Sequence, residues 1–287
     1  MRTLRTVSEL RAALRGPRRE ERTIALVPTM GALHEGHIAL MRQAREDADE
    51  VVVSLFVNPA QFTDDADLAA YPRDEVRDAA LAAEAGADLL FAPGTDEVYP
   101  PGFATRVEIH GPIVETLEGA HRGAEHFHGV TTVVTKLLNM VGPDVVYFGQ
   151  KDAQQVVVVR RLVADLDLPV RIEAIPTVRE PDGLALSSRN VHLRGADRER
   201  AVALRRGLDA AEAAHAAGER DAGRVRAAAR DVMTGLGVEP EYLELVDPDS
   251  LSPVGTIAGP VLVAVAARVG TTRLIDNTTI GDDDGRR

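Results

Sequence analysis

The chain has 287 residues, of which 45% are hydrophobic and 27% charged, and its 45 acidic and 33 basic residues leave a formal net charge of −12. A typical domain size of about 150 residues suggests two domains. So acidic a chain is a poor non-specific ligand for nucleic acid, which requires Lys and Arg to neutralise phosphates. The absence of cysteine excludes disulfides, thiolate metal sites and cysteine nucleophiles. Only two basic residues are lysines, Lys136 and Lys151. The arginine excess reads as compositional bias alongside the alanine richness, but a compact ammonium and a guanidinium do different work. No apolar run approaches the roughly 18 residues of a membrane span. Residues 1–21 are Arg-rich and lack the apolar stretch of a signal peptide, so a cytoplasmic protein with no membrane contact is expected.

In chain order, residues 23–27 predict a buried strand, followed by a loop and a helix over 37–47. Residues 51–57 predict a second strand, bounded by Asn58-Pro59. An Ala-rich amphipathic helix follows over 74–85, then a strand over 88–92 stopped by Pro93-Gly94. Residues 129–141 predict a helix by length despite their β-branched content, 145–148 a strand, 152–166 a helix and 170–175 a strand. Strands alternating with helices predict a doubly wound parallel sheet of α/β type, with ligands at the carboxyl ends of the strands. The pattern then changes. Two helical stretches, 197–217 and 221–236, precede strands over 242–246, 260–268 and 272–276, the last two joined by a hairpin-like Val269-Gly270-Thr271. We therefore expect a Rossmann-like domain over 1–184, a smaller α+β domain over 185–287, and a frayed terminus from 281.

The most informative stretch is Pro28-Thr29-Met30-Gly31-Ala32-Leu33-His34-Glu35-Gly36-His37. It joins the first strand to a helix, where free backbone N–H groups bind anions. No G-x-G-x-x-G is present. Gly31 and Gly36 have the spacing of a P-loop, but His37 and Ile38 replace its Lys and hydroxyl residue. His34 and His37 are three apart, not four as in a zinc-protease H-E-x-x-H. What remains is His-x-Gly-His at a strand-to-helix junction. Its two imidazoles can stabilise charge developing on a nucleotide's α-phosphate, and the glycine lets a base or ribose approach.

This segment resembles the nucleotidylyltransferase signature, and in full it is similar to the pantoate–β-alanine ligase family. The resemblance continues at separated motifs. It implies that Met30 to His37 bind ATP, with His34 and His37 catalytic. Asn58-Pro59-Ala60-Gln61-Phe62 lies at the same sheet edge. By resemblance Gln61 binds pantoate near the β-alanine site, though without the resemblance an Asn-Pro turn with an exposed Gln is the simpler reading.

Phe148-Gly149-Gln150-Lys151-Asp152-Ala153-Gln154-Gln155 is a second strand–turn–helix junction. Asp152 there can cap the helix. The resemblance assigns Gly149, Gln150, Lys151 and Asp152 to ATP, with Lys151 on the phosphates, and Gln155 to pantoate. In Leu186-Ser187-Ser188-Arg189-Asn190 two hydroxyls and a guanidinium suit a triphosphate. Leu186, Ser187, Ser188 and Arg189 match the family's phosphate loop, where Met is common in place of Leu186, and Val178 matches an ATP contact made through backbone. His121, His126 and His128, with Glu118 and Glu125, could suggest a metal but read better as a loop near substrate. Lys136 reads as a solvated helix residue. Mg²⁺ is expected with ATP. The family's acidic pair is Arg77-Asp78 here, so only Asp78 is carried over as a metal ligand.

The resemblance implies attack of the pantoate carboxylate on the α-phosphate of ATP, then of the β-alanine amine on the resulting adenylate. It also implies a homodimer and a lid role for the second domain. The alternatives are another nucleotidylyltransferase that stops at the adenylated product and a nucleotide-binding regulatory module without catalysis.

Overall fold

The computed structural model describes residues 1–62 and 65–281, and the chain forms two compact units. The first comprises Met1–Gly149 and Val158–Pro176; the second comprises Gln150–Val157 and Thr177–Arg287. The change in sequence pattern expected at residue 185 therefore sits within the second unit. Arg179 and Ala185 pair in an antiparallel bridge, which keeps that stretch together on one side of the division.

The first unit contains a six-stranded parallel sheet. Its strands are β1 (Arg2–Leu4), β2 (Ile24–Thr29), β3 (Glu50–Leu55), β4 (Leu89–Phe91), β5 (Val145–Gly149) and β6 (Arg171–Ile175), in the order β1-β4-β3-β2-β5-β6. The runs Ile24–Val27 and Val51–Val53 are buried, as expected of parallel strands covered on both faces. From β2 the chain winds outward through β3 and β4, then returns to β5 on the other side of β2. The direction of winding therefore switches between β2 and β5, the place where open α/β sheets bind ligands. The β2–β5 pairing covers only Ala25↔Val145 and Leu26↔Val146. It stops short of Pro28, which has no N–H to extend a ladder.

The sequence reading missed the first strand and the helix Val7–Arg19. That helix carries a capping box, Thr6 accepting from the Glu9 amide while the Glu9 carboxylate accepts from the Thr6 amide. The helix expected to begin at 129 instead runs Ala124–Val141. Its start is Gly- and His-rich, which hid it, but residues 127–134 are buried, with Gly129 against the turn Pro59–Gln61. Tertiary packing there overrides weak local propensity.

The second unit holds an antiparallel sheet in the order β7-β8-β9, formed by β7 (Pro240–Val246), β8 (Val261–Val269) and β9 (Thr272–Ile280). The helices Ala203–Ala216 and Ala222–Gly235 pack on it through Leu204, Leu208, Val225 and Met233, against Val263 and Val265. β9 continues beyond the expected end at Asp276. Asp276 and Asn277 are turn formers by propensity, yet here they are buried in the strand with side-chain partners. The fraying expected over residues 281–287 falls, from 282 on, outside the described residues.

Tyr147 on β5 is fully buried, and its hydroxyl donates to Asp47 Oδ2 at 2.8 Å. Burial first, and then this bond, raise its pKa above the usual tyrosine value. The folded state keeps the proton at pH values where the unfolded chain loses it, so this stabilisation is full below about pH 10 and declines above it. Tyr147→Phe should cost roughly 0.5–1.5 kcal/mol at neutral pH. In urea titrations the gap between wild type and variant should narrow as pH rises past about 10.

Candidate active site

At the exit of β2 the backbone takes two consecutive left-handed residues, Gly31 (φ +88°) and Ala32 (φ +52°). A Cβ at 31 would sit 2.9 Å from Asp78 Oδ2 and 3.0 Å from Leu55 Cδ1, so only glycine fits. Ala32 has no such excuse and carries strain. What holds it is Asp78, on the helix Glu75–Glu84. The Asp78 carboxylate is 1% exposed and accepts the Ala32 amide on Oδ2 and the Leu33 amide on Oδ1, each at 2.9 Å. A buried charge is tolerated when it is hydrogen-bonded in this way.

The turn delivers the chain to the helix Glu35–Asp47, with His34 as its N-cap. His34 Nδ1 accepts the Gly36 amide at 3.1 Å, and His37 Nδ1 faces the His34 amide at 3.4 Å. The rings lie against one another at 4.2 Å between centroids, tilted by 46°. With each Nδ1 turned to a backbone N–H, the proton of each neutral ring lies on Nε2. A side chain at 36 would meet His34 Cε1 at 2.9 Å. The glycine of His-x-Gly-His therefore makes room for the His34 ring itself, not only for a ligand. The result is a helix N-terminus bearing two imidazole Nε2–H donors, suited to an anion.

The turn Pro59–Gln61 follows β3 and packs on the helix Ala124–Val141. Gly129 of that helix lies so close that a Cβ would sit 2.1 Å from the Ala60 carbonyl oxygen. His126 Nδ1 lies 2.7 Å from the Gln61 carbonyl oxygen, and His128 Nε2 lies 3.0 Å from that of Ile109. These histidines thus serve backbone carbonyls. Among the described residues no group of three or more His, Asp or Glu side chains could hold a metal ion. Gln61 is half-buried, and its Nε2 lies 3.0 Å from Met30 Sδ, beside the β2 exit.

In the second unit, Gln150–Asp152 form a short 3₁₀ turn before the helix Ala153–Asp165, on whose first turn Gln155 is half-buried. Asn277 of β9 donates from Nδ2 to the carbonyls of both Gln150 and Lys151, at 2.9 Å each. Its neighbour Asp276, 4% exposed, takes a two-pronged pair from Arg179 at 2.6 and 2.9 Å. Arg179 also donates to the Gly183 carbonyl. The Leu186 amide donates to the Val178 carbonyl at 3.0 Å, and Ser187 caps the 3₁₀ turn Ser188–His192 by accepting the Arg189 amide. Within this unit, consecutive residues of one strand hold the Lys151 turn and the base of the Val178–Arg189 loop.

A model of the family described as pantoate-beta-alanine ligase matches residues 2–279. The chain belongs to this family. It is 51% identical to the pantothenate synthetase of Heliobacterium modesticaldum, across 98% of this chain and 99% of that one. It superimposes on the crystal structure of pantothenate synthetase from Thermus thermophilus with a TM-score of 0.91 and 47% identity, covering 97% of this chain and 99% of that one. A pantoate-beta-alanine ligase from Francisella tularensis, solved with beta-gamma ATP and β-alanine, matches at 33% identity and TM-score 0.79, covering 97% of each chain.

The family resemblance offers Asp78 to Mg²⁺, and this geometry does not fit that role. Both of its oxygens are already bonded to loop amides, and the neighbouring Arg77 guanidinium lies 3.9 Å from Oδ1. The carboxylate is a brace for the pantoate-beta-alanine ligase loop. Sequence reasoning missed Asn58, Tyr99, Asp276 and Asn277 as residues that hold site segments. Asn58 stood inside a quoted motif, but the partners that reveal these roles, Tyr99 and Gly129 for Asn58 and Arg179, Gln150 and Lys151 for the strand pair, are remote in sequence.

Asp78→Asn would turn an NH₂ group toward one of the two loop amides and leave that donor unpaired. We expect a loss of about 1–3 kcal/mol in urea unfolding, together with a larger fall in turnover than a surface Asp→Asn change produces. Unchanged stability and turnover would remove the brace role.

Proposed function

We infer that the chain joins pantoate to β-alanine with consumption of ATP, releasing AMP and pyrophosphate. The family match over residues 2–279 carries this reading. In the first step a pantoate carboxylate oxygen attacks the α-phosphorus and the bond to the bridging oxygen of pyrophosphate breaks. In the second the β-alanine amine attacks the acyl carbon of the adenylate, AMP leaves, and the nitrogen gives up its proton.

The first nucleophile is already ionised, so positioning and charge neutralisation matter more than a strong base. The Nε2–H groups of His34 and His37 would meet phosphate oxygens and donate hydrogen bonds to the charge developing on the departing pyrophosphate. Met30 to Gly36 would pass the nucleotide along the helix N-terminus. Gly149, Gln150, Lys151 and Asp152, with Val178 and Leu186 to Arg189, would serve ATP. Lys151 and Arg189 would add positive charge on the phosphates, and Ser187 and Ser188 hydroxyl donors. Gln61 and Gln155 would orient pantoate. Mg²⁺ typically relies on phosphates and water more than on protein carboxylates, so an ion would enter with ATP and no protein ligand is assigned to it. A homodimer, a cytoplasmic location and closure of the second unit over the adenylate follow the family resemblance.

Pyrophosphate–ATP isotope exchange tests the first step. Exchange should require pantoate and proceed without β-alanine. Exchange that ignores pantoate would overturn the substrate, and no exchange at all would favour a nucleotide-binding module. Lys151→Ala should lower exchange at least about a hundredfold, as expected for loss of a charged donor from a developing oxyanion, while the melting temperature stays within a few degrees. Surviving exchange in that variant would remove Lys151 from the phosphates.

A further inference from the structure

Asn58, fully buried, sits at the centre of a hydrogen-bond chain whose direction can be read without ambiguity. The Ala60 amide, which can only donate, faces its Oδ1 at 3.3 Å. The Gly129 carbonyl, which can only accept, lies 3.1 Å from its Nδ2. These two backbone groups fix which end of the Asn58 amide is oxygen. The Tyr99 hydroxyl, 2.8 Å from Oδ1, must then donate. The second Nδ2 hydrogen points to Gln61 at 3.1 Å, so the Gln61 atom there must be its oxygen, Oε1. Gln61 is left presenting Nε2–H, which among the described residues meets the Met30 thioether, a weak acceptor.

We propose that Tyr99 is a positioning residue which, as the side-chain donor to Asn58 Oδ1, strengthens the orientation set by the Ala60 and Gly129 backbone and so holds the Gln61 side-chain amide with its NH₂ group facing the substrate, so that the site accepts an oxygen acceptor there and rejects a donor. This deepens the reading of Gln61 as a pantoate-orienting residue and rests on it. A fixed NH₂ group suits a carboxylate or hydroxyl oxygen, and a free glutamine amide would lose part of its binding to the opposite orientation.

Tyr99 is itself held firmly. Its ring packs against Phe103 at 5.1 Å and Phe56 at 6.1 Å between centroids, and the Lys136 ammonium stands 4.7 Å over Phe103 and 5.9 Å over Tyr99. Burial pushes the hydroxyl up to about 12, so it stays a donor at any working pH.

Tyr99→Phe keeps the ring and deletes the donor. The KM for pantoate should rise about tenfold, the worth of one hydrogen bond, while the KM values for ATP and β-alanine hold within error and the melting temperature falls by no more than a few degrees. A pantoate KM within twofold of wild type, or all three KM values shifting together, would overturn the proposal. The chain has five glutamines, so selective ¹⁵N-glutamine labelling gives five side-chain NH₂ pairs in the unliganded protein. The Gln61 pair, identified by its loss in Gln61→Met, should move in Tyr99→Phe, and an unmoved pair would overturn the lock. This readout needs no substrate. Failure of the wild type to use pantoate would therefore sink the functional reading alone, and the lock would still be decided by the spectrum.

Discussion

The exit from the central strand can be built only because one carboxylate is buried beside it. β2 must deliver the chain to the helix Glu35–Asp47 through two left-handed residues, the second of them an alanine. An isolated turn would relax to relieve the strain at Ala32, since a left-handed residue other than glycine costs about 1–3 kcal/mol. Asp78 prevents the relaxation by accepting two successive amides of the turn. The N-cap His34, the tilt of the His37 ring against it and the orientation of both Nε2–H groups follow from where the turn ends. Asp78 comes from the helix after β3, so the loop at the second strand depends on a segment laid down much later in the chain.

The second unit repeats the arrangement with other chemistry. Asn277 ties down the carbonyls of the Lys151 turn, and Asp276 ties down the Arg179 base of the Val178–Arg189 loop. In both units the segments assigned to ATP include irregular backbone. In both they are held by side chains buried in regular elements. This suits a reaction whose nucleophile is already ionised: what the protein contributes is fixed donors, and donors stay fixed only if their backbone does. The Gln61 turn follows the same logic, with Asn58, Gly129 and His126 around it.

The scarcity of lysine gains a physical meaning at these places. Many arginines among the described residues make surface pairs, such as Arg5 with Glu75 and Arg230 with Glu239, which contribute little each. Arg179 is different, because its planar fork matches the buried Asp276 carboxylate in a way an ammonium could not. Lys136, read from sequence as a solvated residue, lies over Phe103 beside the Tyr99 ring. Lys151 sits at a half-buried turn with its backbone carbonyl bonded by Asn277.

The sequence alone determined the parallel sheet, the antiparallel tail and the family. Periodicity and turn residues are local signals, and the His-x-Gly-His junction is one contiguous string. It also placed every strand of the first unit except β1. It failed where local propensity and tertiary contact disagree. The Gly- and His-rich start of the helix Ala124–Val141 read as loop, and Asp276-Asn277 read as the end of a strand, because the partners that stabilise them lie far along the chain. Asp78 is the sharpest case. The family resemblance alone carried it over as a metal ligand, from an acidic pair that here reads Arg77-Asp78. Only the folded chain shows both oxygens spent on the Ala32 and Leu33 amides, since a carboxylate's role is set by the donors that surround it once it is buried, and the sequence does not say which donors those are.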